Sequence, residues 1–377
     1  MIAAGIGALS CLIWLILITA WGRFWRITTS PTDLNLGSLP RVAVIIPARN
    51  EAEGIGKTLS SLLKQDYAGP LRIFVVDDHS TDETAKVASA AGDNVTVLSS
   101  PALPAGWTGK MWALEQGVKA ATEFSAQYFL FTDADIVHAP GSVSRLLALA
   151  EDRRLDMVSM MVKLRCESFA ERALMPAFVF FFFMLYPPEW VNNVRKKTAA
   201  AAGGDILVRT EALAKAGGVG AIRGELIDDC ALARQIKRHG GIWLGVTRDA
   251  ASIRKYETFG VIGRMISRNA FYQLRHSTWL LVGTLFGLAI TYVAPPIIFL
   301  SGMVSGDHWA MLFGGISWLL MSLSFLPMVR FYELSPLWSV SIPVIALFYA
   351  GSTVHSAVQY WTGKGGVWKG RAQDIRS

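Results

Sequence analysis

The stretch YFLFTDADIVHAP, Tyr128 to Pro140, closes an apolar run with two carboxylates one residue apart, Asp133 and Asp135. Like charges so close repel each other unless a cation sits near them, and a divalent metal is the usual solution. Alternate residues of an extended segment point to opposite sides. The pair therefore divides, one carboxylate touching a neutral part of a ligand while the other takes the metal. An Asp-x-Asp also arises by chance, so its weight comes from its company. Asp77-Asp78 ends another apolar run. There a carboxylate either accepts hydrogen bonds from a ribose hydroxyl or base imide, or caps a helix from a solvated turn. The capping role suits nearby Asp82 best. Lys110 opens a helix, where its charge and the free backbone N–H groups can meet phosphate, or where it is an exposed lysine and no more. Asp228-Asp229 opens another helix, as cap, as base, or as one of each. No G-x-G-x-x-G follows the first strand and no G-x-x-x-x-G-K-[ST] occurs anywhere. With no phosphate cradle of that kind, a metal has to neutralise any diphosphate.

The elements that must position these groups read as strands alternating with helices. Val42 to Ile46 is a short β-branched strand stopped by Pro47, and Glu53 to Gln65 carries Ile55, Leu59, Leu62 and Leu63 at helical spacing. A second strand, Arg72 to Val76, leads into a helix begun by STDET. Further strands are expected at Asn94 to Leu98 and Tyr128 to Thr132, with a helix from about Lys110 to Glu123 between them. This alternation predicts an α/β fold with a mainly parallel sheet covered on both faces. In such sheets ligands bind beyond the carboxyl ends of the strands, which is where PARNE, DDHSTD and DAD fall.

The chain of 377 residues is 52% hydrophobic and 17% charged, too apolar for an average soluble protein. Ile2 to Trp21, Thr278 to Val304 and Trp309 to Val329 carry no charge, and Leu334 to Gly363 has only His355. Each is long enough to cross a bilayer core of roughly 30 Å. The expected organisation is a transmembrane anchor at 1–22, a soluble domain at 23–277, a transmembrane region at 278–363 and a basic tail at 364–377. A cleaved signal peptide fits the first segment poorly, since no Lys or Arg precedes its apolar run and Thr19-Ala20-Trp21 is a poor cleavage site. Arg23, Arg26 and Arg41 favour a cytoplasmic soluble domain on a multi-pass protein of the inner, cytoplasmic membrane.

One helix entering the cytoplasm and three later full spans would leave the basic tail outside. One late segment is therefore expected not to span fully, either the one with Pro295-Pro296 or the last, with Pro343. A shorter island at about 173–190, ALMPAFVFFFFMLYPPEW, reads as an interfacial helix, or alternatively as a core helix of the soluble domain. Three scattered cysteines indicate neither a disulfide framework nor a zinc site. The net charge of +7 gathers near the membrane boundaries and the tail, which points to lipid headgroups rather than nucleic acid.

VIIPARNE, VVDDHSTDET, GWTGKMWALEQG, FTDADIVHAP, AAGGDILVRTEAL and IDDCALARQIKRHG, in this order, resemble the family 2 inverting glycosyltransferases of the GT-A fold. The resemblance covers about Arg41 to Gly245, and the whole layout looks most like the hopene-associated glycosyltransferases. It implies transfer of one sugar from a nucleotide-diphosphate sugar, a UDP-sugar first among them, to a lipid acceptor such as a hopanoid. By the resemblance Pro47, Ala48, Glu51 and Asp78 hold the nucleoside; Asp77, beside Asp78 at the strand end, and Lys110, at the helix start, join them as nucleotide-sugar-binding residues on their own positions. Asp133 faces the ribose and diphosphate, and Asp135 binds Mg²⁺ or Mn²⁺. Gly203, Gly204 and Asp205 sit where the acceptor approaches, and Asp228-Asp229 stands at the base position, Asp229 being the base. Two departures go with it. The family's usual Glu-Asp at the base site is Asp-Asp here, and the Gln-x-x-Arg-Trp motif of processive synthases is missing. Arg268 and Arg275 then either reach a diphosphate or touch headgroups. A polysaccharide synthase and a non-catalytic nucleotide-sugar-binding subunit are the competing readings.

Overall fold

The computed structural model describes residues 1–31, 36–363, 367–368 and 371–372, so the expected tail lies almost wholly outside the described residues. The chain divides into two compact units. One comprises residues 28–165, 190–255 and 367–377, and the other residues 1–27, 166–189 and 256–366.

In chain order the elements are α1 (Ile2–Ala20), β1 (Val42–Ala48), α2 (Ala52–Leu63), β2 (Leu71–Asp77), α3 (Thr84–Ser89), β3 (Val95–Ser99) and α4 (Gly109–Ala121). Next come β4 (Tyr128–Thr132), β5 (Ile136–His138), α5 (Ser142–Asp152), β6 (Met157–Lys163), α6 (Phe169–Leu185) and α7 (Pro188–Val191). They are followed by β7 (Asp205–Arg209), α8 (Thr210–Lys215), α9 (Asp228–Lys237) and β8 (Ile242–Ser252). The chain continues through α10 (Phe259–Gln273), α11 (Thr278–Leu288), α12 (Ala294–Ser305), α13 (His308–Phe331) and α14 (Ile342–Trp361).

The first unit is built on an eight-stranded sheet of order β3-β2-β1-β4-β7-β6-β8-β5. β1 pairs in parallel with β2 and β4, and β2 with β3. β7 then enters antiparallel to both β4 and β6, a reversal that the alternation of elements did not announce. Every residue of β1 is buried, as a central strand covered on both faces requires. The strand runs two residues past the expected stop, through Pro47 to Ala48. Its pairing with β4 ends at Ile45, so the missing N–H of Pro47 breaks no ladder on that flank.

One face of the sheet packs Val44, Ile46 and Leu130 against Ile55 and Leu59 of α2 and Leu146 of α5. The other takes α4, which can approach because residue 117 is glycine. A Cβ there would stand 2.4 Å from Ile45 Cγ2 and 3.2 Å from Val76 Cγ2.

Among the described residues, the second unit holds four helices long and apolar enough to cross a membrane, Ile2–Ala20, Thr278–Ser305, His308–Phe331 and Pro336–Trp361. The Pro295-Pro296 pair does not break the second of these, because a π turn at Ala289–Val293 carries the helix through. Trp14 donates its indole N–H to the Thr291 carbonyl, and Gly7 packs beside Ile298, so α1 runs antiparallel to α11–α12. Gly7 also packs beside Phe313, and the amino terminus lies 3.9 Å from Asp307, so α1 runs parallel to α13. Small residues permit these close approaches.

α6, the expected interfacial helix, starts four residues earlier than its apolar island and packs within this helical unit. Phe180 lies edge-on to Phe24 and Phe325, and Tyr349 donates to the Leu174 carbonyl. α14 lies alongside α10 in the same direction, with Phe259 against Phe348, Ser267 against Ser352 and Phe271 against Ser356. Its last turns share a small apolar cluster, through Ala357, with Leu281 in the first turn of α11.

Candidate active site

Six of the expected residues come together in one cleft, contributed by five chain segments. Pro47 comes from the end of β1, Asp133 from the turn after β4, and Gly203 from just before β7. Lys110 lies in the first turn of α4, and Asp228 and Asp229 open α9. The open space is about 400 Å³, part of it continuous with solvent. β1 and β4 point their carboxyl ends at it, while β7, running the other way, starts from it.

Each group is fixed locally. Thr108 caps α4 by accepting the Met111 N–H, and the Thr108 N–H donates to the Arg223 carbonyl at 2.8 Å, which anchors the turn carrying Lys110. The two aspartates sit in the first turn of α9, where the helix dipole favours negative charge. Asp229 Oδ1 accepts the Cys230 N–H at 2.7 Å, and its carboxylate also accepts the Gly203 N–H.

Charge organises the cleft. Lys110 Nζ stands 3.1 Å from Asp133 Oδ1 and 3.4 Å from Asp228 Oδ2. Burial alone would lower the lysine's pKa, but Asp133, Asp228 and Asp229 together outweigh it and hold the ammonium charged. Asp229 is pushed up to about 6, first by burial and then by the neighbouring Asp228, with Lys110 opposing. Asp133 is raised by burial as well, against the pull of Lys110. A carboxylate near 6 is ionised at neutral pH yet basic enough to take a proton, the property asked of a general base.

A second group of residues stands around the DAD turn. Arg254, just past β8, donates from Nε to Asp135 Oδ2 at 2.8 Å and from Nη2 to Glu51 Oε1 at 2.6 Å. Ser252 donates to the same Asp135 oxygen at 3.0 Å. Sequence reasoning missed both residues. SIRKYE carries no motif spacing, and the available signal was an arginine just past β8 in a domain where β1, β2 and β4 lead into acidic motifs.

The loops after β1 and β2 interlock. Asn50 N–H donates to Ser80, Glu51 N–H to Thr84, Ala52 N–H to Asp82 and Thr81 N–H to Asn50 Oδ1. Asp82 therefore ties down the first residue of α2 as well as capping the turn before α3 through Thr84 N–H. Asn50 and His79 take left-handed φ values of 51° and 54° to allow this. Asp77 and Asp78 differ in surroundings. Asp78 is fully buried beside Arg49, at 3.6 Å, while Asp77 accepts the Ser80 N–H on one oxygen and has its other, Oδ1, buried without a partner. Ala48 is buried at the last register position of β1, opposite Asp77.

The remaining expected residues fall elsewhere. Gly204 packs against Val162 and Ile136, and Asp205 is 1% exposed at the start of β7, with its pKa pushed up to about 8 by burial and then by Asp249. Of the Gly-Gly-Asp trio only Gly203 lines the cleft. Arg268 and Arg275 belong to the helical unit, both exposed, and are not among the residues that form the cleft.

Residues 43–217 match the family described as Glycosyl transferase family 2. An N-acetylglucosaminyltransferase of Rhizobium leguminosarum bv. viciae is 36% identical over 126 residues, covering 32% of this chain and 27% of the relative. A 4,4'-diaponeurosporenoate glycosyltransferase of Staphylococcus aureus is 40% identical over 95 residues, 25% of this chain and 24% of the relative. The matched stretches thus span about a quarter of each relative's length. Among solved structures, a mannosyltransferase from Pyrobaculum calidifontis in complex with GDP-Man and Mn²⁺ superposes with a TM-score of 0.58 at 18% identity. It covers 96% of this chain and 99% of that one, which shows a shared GT-A fold.

Proposed function

We propose that this chain, which carries a family 2 glycosyltransferase domain over residues 43–217, moves a single sugar from a nucleotide-diphosphate sugar to a lipid acceptor with inversion at the anomeric carbon. The observation that carries the reading is the cleft in which Asp229, with its pKa near 6, faces the same space as Asp133 and Lys110. Four helices able to cross a membrane, and a relative named for glycosylating diaponeurosporenoate, support an apolar acceptor. A hopanoid is one such acceptor.

In this mechanism Asp229 takes the proton of the acceptor hydroxyl as its oxygen attacks, from the face opposite the departing diphosphate. Lys110 holds Asp133 in place toward the donor and keeps the charge of Asp228 from raising Asp229 further. Asp77 offers its unpartnered oxygen to the nucleoside, with Pro47 and Glu51 beside it and the buried Ala48 behind, opposite Asp77 in the sheet.

Among the described residues no group of three His, Cys, Asp or Glu side chains is arranged to hold a metal ion. Asp135, whose Oδ2 accepts from Ser252 and Arg254, would hold a Mg²⁺ or Mn²⁺ only where substrate phosphates and water supply the remaining ligands. Bound there, the ion would offset the negative charge of the leaving diphosphate.

The test is to incubate the detergent-solubilised protein and a membrane lipid extract with a panel of labelled nucleotide sugars, with and without Mn²⁺. The expected result is a labelled lipid with one donor. Folded protein that binds nucleotide yet neither labels lipid nor hydrolyses any donor would refute the enzyme reading.

A further inference from the structure

The DAD turn is stapled to the end of β8 by three successive residues. Ser252 and Arg254 donate side-chain N–H or O–H to Asp135 Oδ2, and Ile253 donates its backbone N–H to the Asp135 carbonyl at 2.9 Å. The Arg254 fork does more than hold the turn. Its second arm reaches Glu51, on a different loop, so one guanidinium joins the two carboxylates that flank the end of β1 and the turn after β4.

This arrangement conflicts with a preformed cation site. The Asp135 carboxylate is almost out of solvent, while Arg254 is 31% exposed and can leave by that side. A divalent ion at Oδ2 would have to displace two donors and sit within a few ångströms of a positive guanidinium, at low local dielectric. A diphosphate removes both obstacles. It supplies the oxygens that complete a Mg²⁺ or Mn²⁺ shell, and it offers the arginine fork anionic oxygens in place of the two carboxylate oxygens it gives up.

We propose that Arg254 is a resident counter-ion that competes with the divalent cation for Asp135, so that metal is held there only together with a nucleoside diphosphate. The proposal rests on the nucleotide-sugar reading of the site. Arg254 is a positioning residue on this account: without ligand it keeps the acidic turn folded, and with ligand it transfers to phosphate. Metal and nucleotide then bind with reciprocal positive coupling.

The test is direct Mn²⁺ binding by full-length protein in detergent, read by electron paramagnetic resonance or calorimetry, with and without UDP or GDP. Wild type should bind Mn²⁺ weakly alone. Arg254→Gln should bind it about tenfold more tightly alone, the scale of one charge-assisted hydrogen bond, and gain less from nucleotide. Arg254→Lys, which keeps the charge, should remain weak, and this separates charge competition from a fold damaged at this position. Asp135→Asn should lose binding in every background. Equal nucleotide-free affinity in wild type and Arg254→Gln would overturn the proposal. A different failure, in which neither UDP nor GDP changes Mn²⁺ binding in any variant, would overturn the nucleotide-sugar reading beneath it.

Discussion

The ammonium of Lys110 stands 3.4 Å from the carboxylate of Asp228, and this pair sets the charge around the neighbouring Asp229. Asp228 raises the Asp229 pKa and Lys110 lowers it. The acid limb of the pH dependence of kcat/KM should therefore fall near 6 in wild type, with activity lost as pH drops through it. Asp228→Asn should move the limb to lower pH and Lys110→Met to higher pH. Shifts in the same direction would contradict the electrostatic account.

Asp205 makes an opposite demand on the fold. It keeps its proton to about pH 8 when folded, whereas the unfolded chain releases it near 3.8. Between these values the unfolded state binds fewer protons, so stability declines as pH rises, by about 1.4 kcal/mol per unit at most. Asp205→Asn, neutral and nearly isosteric, should raise the melting temperature at pH 8 and have little effect at pH 4. An equal effect at both would show that the buried charge is not the cause.

Gly117 brings α4, and with it Lys110, onto the sheet. Gly117→Ala forces a methyl against Ile45 and Val76 and should cost about 1–3 kcal/mol of stability, read by denaturant titration. It should also weaken donor binding, since the helix must back away from β1. A variant as stable as wild type would contradict the packing.

The last apolar segment, Pro336–Trp361, should not cross the membrane fully. Trp318, in the middle of α13, donates to the Val340 carbonyl, while the last turns of α14 lie by the first turn of α11. α11 starts at the end where α1 and α13 finish. The segment following Trp361 should thus lie on the same side as Arg23, and the last apolar segment should enter and return. Cysteines introduced at position 23 and at position 362 should be labelled by an impermeant reagent from the same side. Labelling from opposite sides would restore a fourth full span.

What the sequence made legible follows from topology. Parallel strands bring their carboxyl ends together whatever the loops do, so Asp77, Asp133 and Pro47 were placed by reading strand ends. Lys110 is legible for a similar reason, in the first turn of the helix that follows the parallel strand β3, whereas Asp228-Asp229 opens α9 after α8 and the antiparallel β7 and is legible only as an acidic pair at a helix start. The contact between Arg254 and Asp135 was not. It spans 119 residues and depends on β8 pairing antiparallel with the three-residue strand β5, which has no pattern of its own. The acceptor-side placement of Asp205 comes from the family resemblance alone. The register of β7 against β4, with Asp205 opposite Thr132, instead sends its side chain into the interior.

The central claim is that Asp229 removes the acceptor proton. Its most direct measurement compares sugar transfer and donor binding in Asp229→Asn. The account predicts transfer reduced by about 10²–10⁴-fold, with nucleotide-sugar affinity near that of wild type. Transfer at the wild-type rate by the variant would contradict it.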